Sequence, residues 1–218
     1  MIFIVLIISS YLLGSIPFGL LIAKAHGKDL RIIGSGNIGA TNVARALGRK
    51  WAYLCFLLDM LKGALPMLII GNWRLVIGNY QLPITSYQFL WLWLAAGCAA
   101  ILGHIFPIYL KFKGGKGVAT SLGVALGLWP YYTICALFSF AVWATVVFIW
   151  RYISLASIIA SITFPLVLIG AMALIPNWDF VGLWPLLIVA CIIPLIVIIR
   201  HRENIRRLLA GTESKILK

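Results

Sequence analysis

The chain has 218 residues, 63% of them apolar, and a mean hydropathy of +1.06. So little polar surface excludes a soluble domain and sets the class as an all-α polytopic membrane protein, whose apolar runs must satisfy their own backbone in lipid. Eighteen Lys and Arg against five Asp and Glu give +13, a surplus that suits loops meeting anionic lipid headgroups and anionic substrates, with nucleic acid not expected as a partner.

The first apolar run, about 2–23, opens as Met-Ile-Phe-Ile-Val-Leu. It lacks a basic n-region and is expected to be a first span rather than a cleaved signal. Its small residues Ser10, Gly14, Ser15 and Gly19 suit close helix packing. The chain then turns polar in GSGNIGATNVARALG, residues 34–48. Ser35 or Asn37 is expected to cap a short helix that Gly48 ends. Glycines let backbone approach a ligand, and amides at a helix start attract anions. Arg45 follows Asn37 by about two turns, and a capped interfacial helix explains the segment equally well.

A second span is expected at 51–71. Within it Asp59 and Lys62 are i and i+3. Charge in lipid is costly, so they are expected to pair with each other or with Arg45 and to support the site. A third span, 88–110, carries His104, read as a packing histidine. Then comes Lys111-Phe112-Lys113-Gly114-Gly115-Lys116-Gly117, which opens the next helix at Val118. A Gly-Gly-Lys-Gly turn ahead of a helix follows the logic of a phosphate loop, with amides as a cradle and a lysine as charge. It is not a Walker A sequence. The competing reading, a basic turn on lipid phosphate, fits Lys111 and Lys113 better than Lys116.

The run 118–150 would be roughly 50 Å long as one helix, too much for one crossing. Pro130 is expected to break it into two pieces of about 12–16 residues, and short or broken helices at membrane depth line sites. In RYISLAS, Ser154 and Ser157 stand at a helix start and are expected to cap it. Spans at 154–175 and 181–199 complete the set. In the tail, His201 and Asn204 are i and i+3 on one face if the helix continues. Arg206 and Arg207 are assigned to a solvated basic face.

Charge decides the topology. All but Lys62 and Arg74 of the 18 cations fall in 24–50, 111–116, Arg151 and 200–218. Two crossings within 118–150 put all four segments on one side. The positive-inside rule then gives about seven spans, with the N-terminus outside and the C-terminus cytoplasmic. Loops near 72–87 and 173–180 are poor in charge. Cys55, Cys98, Cys135 and Cys191 form no CxxC or Cys/His pattern, so neither a disulfide framework nor zinc is indicated. Five carboxylates and no legible Ser-His-Asp set argue against metal hydrolysis and carboxylate pairs. The residues suit a phosphorylated molecule held beside a lipid-soluble one.

GSGNIGATNVARALG, FKGGKGVAT, RYISLAS and HRENIRRL, in this order, resemble the membrane-integral acyl-phosphate:glycerol-3-phosphate acyltransferases of bacteria, the PlsY family. LLGSIPFG and LDMLKG fit as well, and the resemblance runs the length of the chain. It implies one integral-membrane acyltransferase domain, 1–218, in the bacterial inner membrane, with its site facing the cytoplasm. The implied reaction moves an acyl group from acyl phosphate to the 1-hydroxyl of glycerol 3-phosphate, giving lysophosphatidate and phosphate. No cofactor, metal or nucleotide is implied. The partners are the two substrates and membrane lipids.

The resemblance carries Ser35, Asn37, Arg45, Lys116, Ser154, His201 and Asn204 as the polar site, with Thr41 and Gly115 nearby. The accompanying expectation is that Lys116 and the Gly114–Gly117 amides hold one phosphate and Arg45 with Ser35 and Asn37 another. His201 and Asn204 orient glycerol 3-phosphate, and either His201 or a substrate phosphate takes the proton. Three rivals remain open from the residues. A transporter would place polar groups near the midplane in repeated halves. An acyl-CoA-dependent acyltransferase of the common type would show HxxxxD, absent after His26, His104 and His201. A structural subunit leaves the glycine turns beside Lys and Arg unexplained.

Overall fold

A computed structural model describes residues 2–72, 86–176 and 178–216. Most of the expected 72–87 loop, with Arg74, lies outside the described residues, as does Lys218. The described residues are helical, with no strand among them, and fall into two compact units, 1–128 and 129–218.

In the first unit, α1 (Ile2–Ser15) and α2 (Phe18–Ala25) form one apolar stretch, broken at Ile16–Pro17 where proline has no amide to donate. A short helix α3 (Ala40–Leu47) leads through Gly48 into α4 (Arg49–Gly71). α5 (Ser86–Ile105) and a 3-10 turn at Ile108–Leu110 follow, then α6 (Val118–Gly127). α1 packs on α5 and α4 on α6. Backbone comes close at both seams: a Cβ on Gly14 would overlap Ala100, and one on Gly63 would overlap the Thr120 carbonyl. Small residues at helix contacts are how apolar helices gain packing in lipid.

α4 shows why the fold is a membrane fold. Its buried face carries Cys55, Asp59, Lys62 and Gly63, while Leu54, Leu57, Leu61, Leu65 and Leu68 are exposed. In water that arrangement would be inverted. In lipid the leucines face solvent of their own kind, and the ions turn inward.

The second unit holds α7 (Tyr131–Trp150), α8 (Ile153–Leu174), α9 (Phe180–Arg200) and α10 (Arg202–Leu209). α8 packs against α7, α9 and α10. Tyr132 donates to the Leu186 carbonyl, and Trp143 donates to Ser157 at 3.3 Å.

Among the described residues six helices are long and apolar enough to cross a membrane, and Val118–Gly127 is a shorter apolar helix. The run 118–150 does break beside Pro130, but into helices of 10 and 20 residues rather than two pieces of similar length. Proline sits as the N-cap of α7, where it starts a helix without interrupting one, so everything after it stays whole.

Candidate active site

The first glycine-rich motif is organised by a residue not singled out from sequence. Asn42 is 1% exposed. Its Nδ2 donates to the Leu30 and Ile33 carbonyls at 3.1 and 2.9 Å, and its Oδ1 accepts from the Ser35 amide at 3.1 Å. One amide side chain thus ties the loop before α3 to α3 itself. Leu20, Leu30, Ile38, Val43 and Cys55 form the apolar cluster beneath.

The expected cap is absent. The N-cap position of α3 is Gly39, and no side chain caps it. Asn37 instead closes its own turn, its Oδ1 accepting from the Gly39 amide at 2.9 Å. The positive end of the α3 dipole is thus not taken up by a side-chain cap. Gly48 does end the helix, at φ +90° and ψ 174°, a region open essentially to glycine alone.

The nearby cations divide. Lys28 donates to the Ala46 carbonyl at the end of α3. Arg31 pairs with Asp29 at 2.6 Å, and its hydrogen bonds hold that carboxyl down to about 2. Arg45 is exposed and forms no ion pair among the described residues. Thr41 and Arg45, i and i+4, share one face of α3.

The second motif is stitched to the end of α5. The Gly114 amide donates to the Ile105 carbonyl at 3.2 Å and the Gly115 amide to the His104 carbonyl at 3.1 Å. These two amides are engaged within the turn, so a cradle made of all four amides from Gly114 to Gly117 is not what this backbone offers. Their glycines serve close approach instead: a Cβ on Gly115 would run into the His104 ring. Gly117, at φ +88°, is the N-cap position of α6, again without a side-chain cap. Lys116 is half-buried immediately before it.

Asp59 and Lys62 pair at 2.8 Å, with Arg45 elsewhere on α3. Lys62 also donates to the Ile16 carbonyl at 2.7 Å, in the break between α1 and α2. His104 Nδ1 lies 3.6 Å from Asp59. His104 is buried, as a packing histidine would be, with the Asp59–Lys62 pair on one side of its ring.

In the second unit the sequence missed the organising group. Glu213, 8% exposed, accepts from Ser154 at 2.7 Å, from Asn204 at 2.6 Å and from Arg207 at 2.6 Å. Burial pushes its carboxyl up, but the bonds from Asn204, Ser154 and Arg207 outweigh burial and hold it below the ordinary 4.5. Three expectations change here. Arg207 turns inward to a carboxylate and is not part of a solvated face. Ser154 and Ser157 do not cap α8, whose N-cap position is Tyr152 without a side-chain cap; Ser157 bonds the Ile153 carbonyl at 2.9 Å. The last span does not continue as one helix, since His201 is the break between α9 and α10. His201 and Asn204 are nonetheless both buried. His201 Nδ1 faces the Val197 carbonyl at 2.8 Å. A carbonyl only accepts, so Nδ1 carries the proton, and Nε2 holds the lone pair in neutral imidazole. A carboxylate 59 residues from Ser154 leaves no local signal; its rarity in so basic a chain was the one hint.

Membrane-length helices with an ion pair turned inward, and two glycine-rich turns that each run into a helix start without a side-chain cap, define an integral membrane protein. A family model described as glycerol-3-phosphate acyltransferase matches residues 4–211, and the chain belongs to that family. The chain is 48% identical over 212 residues to the glycerol-3-phosphate acyltransferase of Geotalea daltonii, covering 97% of this chain and 96% of that one. It is 46% identical over 214 residues to that of Aquifex aeolicus, covering 96% and 97%. Among solved structures it is similar to PlsY (YgiH), an integral membrane glycerol 3-phosphate acyltransferase. The glycerol 3-phosphate form matches with a TM-score of 0.79 at 45% identity, over 99% of this chain and 96% of that one. The lysophosphatidic acid form matches with a TM-score of 0.77 at 44% identity. The acyltransferase reading stands over the transporter.

Proposed function

We propose that this acyltransferase takes its acyl group from acyl phosphate and gives it to the 1-hydroxyl of glycerol 3-phosphate, making lysophosphatidate as the first acylation of phospholipid synthesis. The observation that carries the reading is the pair of glycine-rich turns, each running into a helix start without a side-chain cap, with Arg45 in the last turn of α3 and Lys116 just ahead of α6, within a chain of this family. The hydroxyl oxygen attacks the acyl carbonyl, a C–O ester bond forms, and the C–O bond to phosphate breaks with its electron pair leaving on phosphate. Phosphate is a good leaving group, so positioning and charge stabilisation supply most of the acceleration. The proton goes to His201 Nε2 or to a substrate phosphate oxygen.

Lys116, with the amides at the start of α6, holds one phosphate; Arg45, with Ser35, Asn37 and Thr41, holds the other. Ser154, His201 and Asn204 orient glycerol 3-phosphate. The residue assignment rests on the family motifs, and 1–218 acts as one acyltransferase domain. The acyl tail lies among apolar helix faces, where each buried methylene adds about 0.8 kcal/mol. The location is the bacterial inner membrane, with about seven spans, an outside N-terminus and the site on the cytoplasmic side, because that topology gathers the basic segments on one face.

The test is turnover by purified protein in detergent with glycerol 3-phosphate and acyl phosphate, acyl-CoA or acyl carrier protein as separate donors. Lysophosphatidate from acyl phosphate alone is expected; product from acyl-CoA alone would overturn the donor. Arg45→Ala and Lys116→Ala are each expected to lose at least about a hundredfold in kcat while remaining monodisperse.

A further inference from the structure

A buried ion pair in lipid needs one cation and one anion, and Lys62 with Asp59 supplies both at 2.8 Å. A third ionisable side chain, His104, adds nothing to that neutrality, yet it is 5% exposed and its Nδ1 lies 3.6 Å from the same carboxylate. The Nδ1 edge of the imidazole faces the aspartate across a gap longer than a hydrogen bond. With Nδ1 toward Asp59, the opposite edge of the ring, Nε2, stands where a Cβ on Gly115 would be. The same residue's carbonyl accepts the Gly115 amide at 3.1 Å. Gly115 is thus gripped by ring and carbonyl of one histidine, and Lys116 is the next residue. The Asp59 end is anchored independently. Cys55 Sγ approaches its other oxygen at 3.6 Å, and Lys62 holds the Ile16 carbonyl at 2.7 Å.

We propose that His104, through its ring edge and carbonyl against Gly115, is a positioning residue that sets the Lys116 turn for the acyl transfer. Nothing in the reaction requires His104 to meet substrate. Its effect passes through Gly115, and the inference rests on the reading of Lys116 given above.

The test is His104→Asn in the full chain. Asparagine keeps a donor near the Nδ1 position for Asp59 but removes the ring edge at Gly115. The expected result is a folded protein with a melting temperature within a few degrees of wild type and, per folded molecule, at least a tenfold lower kcat or a tenfold higher KM for one phosphorylated substrate. A merely structural histidine would lower the yield of folded enzyme and leave both constants unchanged, and that result would overturn the proposal. Should H104N not fold, Gly115→Ala reads the same contact from the other side, and wild-type constants there would overturn it too. Coupling gives a further readout: H104A/G115A is expected to be no less active than H104A, because the ring that the new methyl would strike is gone. Losses that multiply would overturn it. Lys116→Ala separates the two levels. Wild-type activity in K116A removes the basis in Lys116 itself, whereas an inactive K116A beside an unaltered H104N sinks only the positioning role.

Discussion

Asp59 in the first unit and Glu213 in the second are the two buried carboxylates in a chain that has five, and they are partnered in opposite ways. Asp59 lies in a membrane-length helix. Two of its partners, Cys55 and Lys62, are on the same helix, and its counter-ion is an ammonium only 3% exposed. Glu213 lies beyond the last membrane-length helix and gathers Ser154, Asn204 and Arg207 from positions 59, 9 and 6 residues away. Its cation is partly open to solvent. Inside lipid an ion has to be neutralised where it stands, so the partner is close in sequence. Outside lipid a carboxylate can organise neutral donors from distant segments, and it then works as a clasp for the tail.

The largest effect expected from that difference is on stability at Asp59. Asp59→Ala leaves the Lys62 ammonium buried without its anion, and breaking a buried pair on one side costs about 3–5 kcal/mol. Against a total of roughly 5–15 kcal/mol, that is enough to deplete the folded protein. D59A/K62A is expected to melt higher than D59A in detergent. If D59A alone melts with the wild type, the ions are not a pair in the sense drawn here.

At Glu213 the effect is smaller and depends on pH. Its carboxyl sits below the ordinary 4.5 when folded, so the unfolded tail binds a proton more readily than the folded one. The contribution is complete above the ordinary value and is lost as pH falls through the lower folded value. Hydrogen exchange over residues 202–216 is expected to lose protection in that acid window in the wild type. Glu213→Gln should remove the pH dependence and weaken protection at neutral pH as well, since hydrogen bonds to a charged acceptor are worth about 1.5–3 kcal/mol. A wild type that keeps its protection through the window would show that the clasp is not carried by charge.

The same contrast explains what could be read from sequence. The Asp59–Lys62 pair is an i, i+3 pattern inside an apolar run, and helix period plus the cost of charge in lipid suffices to pair them. Gly48 as a helix end and a break beside Pro130 follow from equally local rules. The clasp does not. Ser154 looks like a cap and Arg207 like a headgroup ligand until the tail folds back and Glu213 takes both. Asn42 was overlooked for a related reason. It is the third residue of α3, past the capping position where an asparagine is diagnostic, and its three bonds reach back to residues 30, 33 and 35. At Gly114 and Gly115, spacing gave a glycine turn before a helix, but only the packing of His104 reveals that two of its amides are engaged and that the missing side chains make room for a ring.

The smallest expected effect sharpens the comparison at the hinge of the clasp. After α10 the chain reverses at Gly211, φ +69°, with the Thr212 amide on the Arg207 carbonyl at 2.8 Å and the Gly211 amide on Leu208 at 3.2 Å. That paired closure is a Schellman cap, in which the left-handed residue is ordinarily glycine. A Cβ at Gly211 would meet nothing within 4 Å, so Gly211→Ala adds no clash and tests backbone alone, at about 1–2 kcal/mol. Gly211→Asn, which tolerates the left-handed region better, should lie between alanine and wild type. Because the reversal is what brings Glu213 to Ser154, G211A is expected to lower tail protection at neutral pH and leave the Asp59 pair untouched. A loss of equal size in exchange at α4 would mean that the two carboxylates belong to one cooperative structure.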